Sequence, residues 1–287
     1  MCGIIGLYHP TENVAGEIYD ALIQVQHRGQ DAAGIAAINK NKLSVHKDLG
    51  VVTEVFKTVE SLDLKGNIGI GHVRYPTAGC SDVSEAQPFH TVNPVEICLA
   101  HNGTLTNSDE MREFLLNKKF CKFNTQSDSE VLLNLFAYEL SQASFEVLES
   151  FHIFSALKEV YKRCEGGFAV AVLVEGVGLV GFRDSNGIRP LVLGKKDDGS
   201  FMVASESSAL SALGYIFESD INPGEAIIIS EQGSIERKTC SENVSHTPCL
   251  FEFVYFSRPD SIIDSISVHK ARLRMGDFLG EKILKNH

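Results

Sequence analysis

Long hydrophobic runs are absent from this 287-residue sequence, whose longest apolar stretch covers only residues 168–174 before Glu175 interrupts it. A helix that crosses a bilayer needs about 20 apolar residues. The first residues also lack the basic segment and the apolar core that are typical of a secretory signal. We therefore expect a cytoplasmic protein that has no membrane partner.

Basic residues are scarce and scattered, with 26 Lys and Arg against 37 Asp and Glu and a formal net charge of -11. No block of basic residues is longer than a few positions. This balance argues against non-specific binding to nucleic acids, which depends on clustered positive charge. A small charged substrate remains compatible, because the charge of a local site need not follow the net charge.

The usual motifs of metal and cofactor sites are also missing. The seven cysteines form no CxxC pair, and the histidines show neither metal-ligand spacing nor HExxH. The GLVG segment at 178–181 lies between two predicted strands and does not open a helix, so it is not a phosphate loop. We expect no metal and no cofactor in this chain, and free thiols in a reducing compartment.

The chain does contain enough apolar residues for a sizeable core, at 44% hydrophobic and 22% charged. Alternation of apolar and polar residues predicts strands, and a spacing of three and four predicts helices. The predicted strands cover residues 4–8, 34–38, 68–74, 97–100, 168–174, 178–182, 191–194, 201–205, 226–230 and 251–257. The predicted helices cover residues 18–25, 108–119, 127–143, 154–164 and 268–284.

Two local patterns refine these elements. We expect the strand at 97–100 to end at His101-Asn102-Gly103, and the segment Ser127 to Glu130 to form a capping box. Groups of strands that are separated by paired helices predict antiparallel sheets with helices packed against them, instead of βαβ winding.

A change in composition predicts a boundary near residue 240. Residues 241–248 are polar and irregular, and the helical tail beyond them has too little apolar surface to form its own core. We expect one domain at 1–240, followed at 241–287 by a linker and the start of an incomplete second domain.

Cys2 is the first candidate for catalysis. If Met1 is removed, Cys2 carries a thiol with a pKa of about 8.5 and a free α-amine with a pKa of about 7.7–8.0. The amine can then act as the general base for its own thiol. Gly3 would allow close approach of a substrate. The alternative interpretation is that Cys2 is a small packing residue near a chance chain start.

Asn102 and Gly103 could supply the donors that an amide-cleaving nucleophile needs. The tetrahedral oxyanion of acyl transfer requires fixed hydrogen-bond donors, here the Asn102 side-chain amide and the Gly103 backbone N–H. On its own, however, an Asn-Gly dipeptide between strands favours a hairpin turn. Asn186-Gly187 shows that this chain uses the dipeptide elsewhere.

Three charged residues complete the candidates. Arg74 could bind a substrate carboxylate in bidentate fashion, and Asp128 could bind an ammonium. Arg74 could equally be a surface ion-pair partner, and Asp128 could simply favour the N-terminus of its helix. Arg28 lies at a predicted helix end, where a cation is favourable in any case.

The order of the motifs is more specific than any one of them. CGIIG at 2–6, QHRGQDAAGI at 26–35, GIGHVRYPTAG at 69–79, SEAQPF at 84–89, HNG at 101–103 and SDSE at 127–130 resemble the class II glutamine amidotransferases. This resemblance implies an α+β fold, the four-layer αββα sandwich of N-terminal-nucleophile hydrolases, with two antiparallel sheets. Segments at 182–194, 204–207, 223–226 and 251–261 are similar to the glutamine phosphoribosylpyrophosphate amidotransferase family within that class.

The resemblance implies a role for each candidate. Cys2 is the nucleophile, and Asn102 with Gly103 forms the oxyanion hole. The set implied to bind substrate comprises Arg74, Asp128, Arg28 and Thr77, the last in a loop at 74–82 that closes over glutamine.

The implied activity is hydrolysis of glutamine to glutamate and ammonia, as the glutaminase part of an amidophosphoribosyltransferase in the first committed step of purine synthesis. Phosphoribosyl pyrophosphate and Mg²⁺ belong to a phosphoribosyltransferase domain whose signature this sequence lacks, and the full enzyme is expected to be a homo-oligomer. Cys249 matches one iron–sulfur ligand position of some relatives, but it also occurs in cluster-free ones, so we expect no cluster. The alternatives are a non-catalytic glutamine-binding or assembly module and hydrolysis of a different amide.

Overall fold

Two antiparallel sheets stack face to face, and each carries helices on its outer face, in a computed structural model that describes residues 1–39, 42–57, 64–75 and 82–286. One apolar core lies between the sheets and one lies under each helical layer. The predicted α+β class with four αββα layers is confirmed.

The first sheet holds the N-terminal strand near its centre. Within the described residues its seven strands are, from edge to edge, β11 (Ile216–Asp220), β9 (Val192–Lys195), β10 (Phe201–Ala204), β1 (Gly3–Tyr8), β4 (Ile68–Arg74), β2 (Ala32–Asn39) and β3 (Lys42–Leu49). The second sheet has six strands in the described part of the chain. They are β13 (Ile235–Thr239), β12 (Glu225–Ser230), β8 (Gly178–Arg183), β7 (Gly166–Val174), β6 (Ile97–Leu105) and β5 (Phe89–Thr91).

The helices separate by layer. The first sheet is covered by α1 (Ala15–Gln24), α2 (Val52–Val55) and α6 (Ser207–Ala212). The second sheet is covered by α3 (Ser108–Asn117), α4 (Asp128–Ser141) and α5 (Ser150–Arg163). No helix of the described residues is both long and apolar enough to cross a membrane.

The nine strands predicted between residues 4 and 230 are all interior strands of the two sheets, whereas β3, β5, β11 and β13 were not predicted. These four are the sheet edges, and residues such as Lys42 and Glu218 leave them partly polar and exposed. An edge strand buries less of its surface, so its apolar periodicity is weak.

The prediction that a strand ends at His101-Asn102-Gly103 is wrong. β6 continues through these residues to Leu105, and Asn102 lies opposite Ala169 of β7. The turn interpretation fails because the neighbouring strand extends far enough to pair with every residue of the segment. An Asn-Gly dipeptide predicts a turn only where no partner strand is available.

The strand predicted at 251–257 is also wrong, because Glu252–Phe256 forms a π-helical turn. The alternation of apolar residues does not mark a buried sheet face here, since Phe251 and Tyr255 are exposed. The inward-facing residues are Phe253 and the charged Glu252, which is 1% exposed. The turn is followed by a short hairpin, β14 (Ile262–Ile263) and β15 (Ile266–Ser267), and by the helix α7 (Val268–Asn286). The domain boundary at residue 240 stays a prediction.

The predicted capping box is half right. Ser127 is the N-cap of α4, and its Oγ accepts from the Ser129 backbone N–H. The Glu130 carboxylate does not accept from the Ser127 backbone N–H, as a capping box requires, because it accepts from the backbone N–H groups of Asn124 and Thr125. The N-terminus of α4 is therefore held firmly by the preceding loop, which fixes Asp128 in space.

Candidate active site

Cys2 lies at the start of β1, beside the end of β4. Pairing of Gly3 with Val73 brings it next to Arg74 and Tyr75. The Tyr75 backbone N–H donates to the Cys2 Sγ at 3.5 Å, and the thiol points to the Tyr75 carbonyl at 3.9 Å. Burial raises the pKa of the Cys2 thiol, and the hydrogen bond with the Tyr75 backbone offsets this only in part. The thiol is therefore protonated near neutral pH, and a nucleophilic reaction at Cys2 needs a base.

Asn102 reaches Cys2 from the other sheet. Its Oδ1 accepts from the Cys2 backbone nitrogen at 3.1 Å. Because a peptide nitrogen can only donate, this contact sets the orientation of the amide and identifies Nδ2 as the free donor. Nδ2 is buried and has no hydrogen-bond partner among the described residues. An unsatisfied buried donor costs about 1–3 kcal/mol, and such a donor next to a nucleophile suits an oxyanion hole.

Gly103 follows in the same strand, where a side chain cannot be accommodated. An added Cβ would lie 2.1 Å from the Gly167 carbonyl oxygen and 2.7 Å from His101 Nε2. The Gly167 carbonyl is held by the sheet, and the His101 ring is buried and hydrogen-bonded to Ser129. The backbone of β6 can keep its position beside Cys2 only with glycine at residue 103.

We predict that Gly103→Ala displaces β6 and lowers any catalytic rate at Cys2 by at least about tenfold, since displacements near 1 Å cost up to about 10²-fold. The matched control is Gly276→Ala in α7, where a Cβ would meet no described atom within 4 Å. Steady-state rates and thermal unfolding of both variants test this. An unchanged rate in Gly103→Ala would contradict the steric argument.

Arg74 and Asp128 line one cavity of about 190 Å³ together with Cys2 and Gly103. Arg74 is largely buried, and its Nη1 donates to Asp31 Oδ2 at 2.7 Å. Asp128 is the first residue of α4, and its Oδ2 accepts from the Leu105 backbone N–H at 2.9 Å. Arg74 is thus paired with Asp31, but in a buried position and not at the surface, and Asp128 lies at a helix N-terminus as expected. Each charge also faces the cavity that contains the thiol.

The structure places Arg28 and Thr77 differently from the other candidates. Arg28 is fully buried and does not line the cavity; its Nε donates to the Cys2 carbonyl at 3.1 Å. Arg28 thus contacts the backbone of Cys2 and does not face the cavity. Thr77 and the rest of 76–81, most of the predicted closing loop, lie outside the described residues.

A buried polar network beneath the cavity was not predicted. Gln87 Oε1 accepts from the His101 backbone N–H at 2.7 Å, so its Nε2 donates to Ser129 Oγ at 3.0 Å. The Ser129 hydroxyl can then donate to His101 Nδ1 at 2.8 Å, which leaves the ring proton on Nε2. Burial lowers the pKa of His101 and lowers that of His72 to about 3, so both rings are neutral. The sequence did contain a signal for this network, because its members belong to motifs on which the resemblance rests: Gln87, His101 and Ser129.

In the part of the chain that the structure describes, no group of three or more His, Cys, Asp or Glu residues could hold a metal ion. The six described cysteines are free thiols. The expectations that this chain uses no cofactor and no iron–sulfur cluster stay predictions.

A thiol, a cation and a carboxylate in one cavity, with a buried amide donor beside the thiol, suit nucleophilic attack on the amide of a free amino acid. A sequence profile described as a glutamine amidotransferase domain matches residues 72–212. Together with the αββα sandwich, this match shows that the chain contains a glutamine amidotransferase domain of the N-terminal-nucleophile type.

Within that class the chain is similar over nearly its whole length to amidophosphoribosyltransferases. It is 51% identical to the one from Escherichia coli K12 and 48% identical to the one from Pasteurella multocida, in each case over 99% of this chain and 57% of the relative. The solved glutamine phosphoribosylpyrophosphate amidotransferase of B. subtilis, in complex with ADP and GMP, superposes with a TM-score of 0.84 at 35% identity. That match covers 98% of this chain and 58% of the other. The chain thus spans somewhat more than half the length of these relatives.

Proposed function

We propose that this domain hydrolyses glutamine to glutamate and ammonia with Cys2 as the nucleophile. The observation that carries the proposal is the contact between the Cys2 nitrogen and Asn102 Oδ1, which leaves a buried amide donor free beside the thiol. Arg74 and Asp128 supply the opposite charges that the two α-groups of a free amino acid require.

The proposed reaction begins once Met1 has been removed and the Cys2 nitrogen is an α-amine. The amine, held by Asn102 Oδ1, takes the thiol proton, and the sulfur attacks the side-chain carbonyl carbon of glutamine. The oxyanion accepts from Asn102 Nδ2 and the Gly103 backbone N–H. As the tetrahedral intermediate collapses, the C–N bond breaks and the ammonium of Cys2 protonates the departing amide nitrogen, which leaves as ammonia. Water that the amine deprotonates then attacks the thioester, and glutamate and the free thiol are released.

We infer the wider role from the named relatives, which are amidophosphoribosyltransferases. In that role, ammonia made at Cys2 would be used to form 5-phosphoribosylamine from phosphoribosyl pyrophosphate, in purine synthesis in the cytoplasm. A further domain would bind phosphoribosyl pyrophosphate with Mg²⁺, and the whole enzyme would be a homo-oligomer. Residues 241–287 would link the two domains.

The test is an assay of glutamate and ammonia release from glutamine by the full chain, after mass spectrometry has confirmed that Cys2 is the first residue. Equal amounts of both products are expected. Calorimetric binding of glutamine without turnover would instead favour a non-catalytic binding module. Asparagine and short glutamine peptides should be poor substrates, and efficient cleavage of either would indicate a different amide specificity.

We predict that Asp128→Asn raises KM for glutamine by about 10–100-fold, because a hydrogen bond to a charged group contributes about 1.5–3 kcal/mol. Asparagine can still accept from the Leu105 N–H, and Ser127 still caps α4, so the helix should keep its position. The matched control is Asp109→Asn, which removes an exposed carboxylate from the first turn of α3. If both variants change KM equally, or neither does, Asp128 acts only on its helix. Glutaramate, which lacks the α-amine, should be hydrolysed equally by Asp128→Asn and the unaltered protein.

A further inference from the structure

Among the described side chains, Arg28 joins the Cys2 carbonyl to two buried carboxylates through hydrogen bonds. Its Nε donates to that carbonyl at 3.1 Å, while Nη1 and Nη2 donate to Glu206 and Glu252. All three charged side chains have at most 2% of their surface exposed. A planar guanidinium that is held at both Nη atoms has one orientation, and that orientation sets the direction of its Nε–H.

The two carboxylates differ in how they are anchored. Glu206 has several other donors, among them the Arg258 backbone N–H at 2.9 Å and the Ser261 hydroxyl at 2.8 Å. Burial raises the pKa of Glu206, but the hydrogen bond from His27, the charge of Arg28 and the hydrogen bond from the Arg258 backbone hold it far below its ordinary value. Glu252 contacts Arg28 at 2.7 Å and accepts from the Ser257 hydroxyl at 2.7 Å. Without the charge of Glu252, Arg28 would form an ion pair with Glu206 alone, at only one of its two Nη atoms.

The π-helical turn that carries Glu252 is itself fixed from outside. In α7, Arg272 donates from Nε to the Phe253 carbonyl and from Nη2 to the Ser257 carbonyl, both at 2.8 Å. The Phe253 carbonyl lies near the beginning of the turn and the Ser257 carbonyl just after its end. The two hydrogen bonds from Arg272 therefore prevent the turn from unwinding. Because the turn is rigid, it holds the Glu252 carboxylate at one position beneath β1.

We propose that Glu252 is a positioning residue for the nucleophile, which acts through Arg28 on the Cys2 carbonyl. The segment around it, residues 249–261, then belongs functionally to the catalytic unit, although it follows the boundary expected from composition. This inference rests on the proposed function and concerns the rate of reaction at Cys2. Glutamine binding should not depend on Glu252, because Arg74 and Asp128 lie on the other side of Cys2 and contact neither Arg28 nor Glu252 in the described hydrogen bonds.

The decisive variant is Glu252→Gln in the full chain, which keeps the side-chain shape and one acceptor but removes the charge. We expect kcat for glutamate release to fall by about tenfold, as an ion pair between two charged groups becomes a hydrogen bond from Arg28 to a neutral acceptor. KM for glutamine should stay within about twofold. Glu218→Gln is the matched control, since Glu218 is an exposed carboxylate in an ion pair with Lys195, and it should leave both constants unchanged.

A second readout separates this inference from the proposed function. Alkylation of Cys2 by iodoacetamide, followed by mass spectrometry, reports on the thiol even if the unaltered protein releases no glutamate. In that case the proposed function fails, and a slower alkylation of Glu252→Gln than of Glu218→Gln still supports the positioning role. Equal alkylation rates in the folded variants would overturn it.

Two further variants test the positioning role of Glu252. On an Arg28→Gln background, Glu252→Gln should have no further effect on kcat, because the route through Arg28 is already lost. If Glu252→Gln does not fold, Ser257→Ala decides the matter, since it removes only the second hydrogen bond of the carboxylate. A fall in kcat of about twofold to threefold with KM unchanged supports the role, whereas an unchanged kcat, or a rise in KM alone, overturns it.

Discussion

Replacing Cys2 by alanine is expected to lower glutamate release by at least about 10⁴-fold, because the reaction loses the one sulfur nucleophile among the described residues that line the cavity. Alanine is also small, so Met1 should still be removed and the α-amine retained. The loss is then chemical and does not reflect altered processing. Glutamate release by the full chain, with the N-terminus confirmed by mass spectrometry, measures it.

The matched control is Cys121→Ala, which changes a partly buried cysteine that packs under the second sheet. Its kcat should equal that of the unaltered protein. Glutamine should bind to Cys2→Ala with an unchanged dissociation constant, because Arg74 and Asp128 are intact. Full hydrolysis by Cys2→Ala would show that the mechanism is wrong.

The second large effect is expected at Asn102. Asn102→Asp is nearly isosteric and keeps an acceptor for the Cys2 nitrogen, but it replaces the free Nδ2 donor with a carboxylate oxygen. Loss of one oxyanion donor costs about 10²–10³-fold in kcat, and the added negative charge opposes the oxyanion further. We therefore expect kcat to fall by at least about 10²-fold, with KM changed by only a few-fold.

Asn186→Asp offers a matched control, because Asn186 also precedes a glycine but lies in a true turn. Its Oδ1 accepts from the Ser245 hydroxyl, an interaction that aspartate can keep. This variant should retain the full rate. An Asn102→Asp protein whose kcat is within about twofold of the unaltered value would argue against an oxyanion role for the amide.

Local sequence was a good guide to the interior of the fold. β7 is an unbroken apolar run, and β4 alternates until Pro76 follows it, so each is evident from its own residues. The edge strand β13 reads IERKT and is largely exposed, so nothing in its composition distinguishes it from a loop. Its pairing with β12 becomes evident only when the neighbouring strand is in place.

The candidate site likewise combines residues that could be predicted from the sequence with contacts that could not. Cys2, Arg74 and Asp128 could be proposed from residue type and from their place in ordered motifs, and the structure brings them to one cavity. The alternatives for Asn102 could not be separated locally, since the same dipeptide forms a turn at 186–187. Only the pairing of β6 with β7 removes the turn.

By itself, then, the sequence determined the interior strands and the fold class, and it indicated the candidate nucleophile and the two candidate charges for its substrate. These depend on patterns within short segments, which folding preserves. The tertiary structure decided which groups meet over long separations. It turned Asn102 towards Cys2 across 100 residues and joined Arg28 to Glu252 across 224. The physical reason is that a buried donor or charge must find a partner, and local sequence does not say which distant group becomes that partner when the sheets stack.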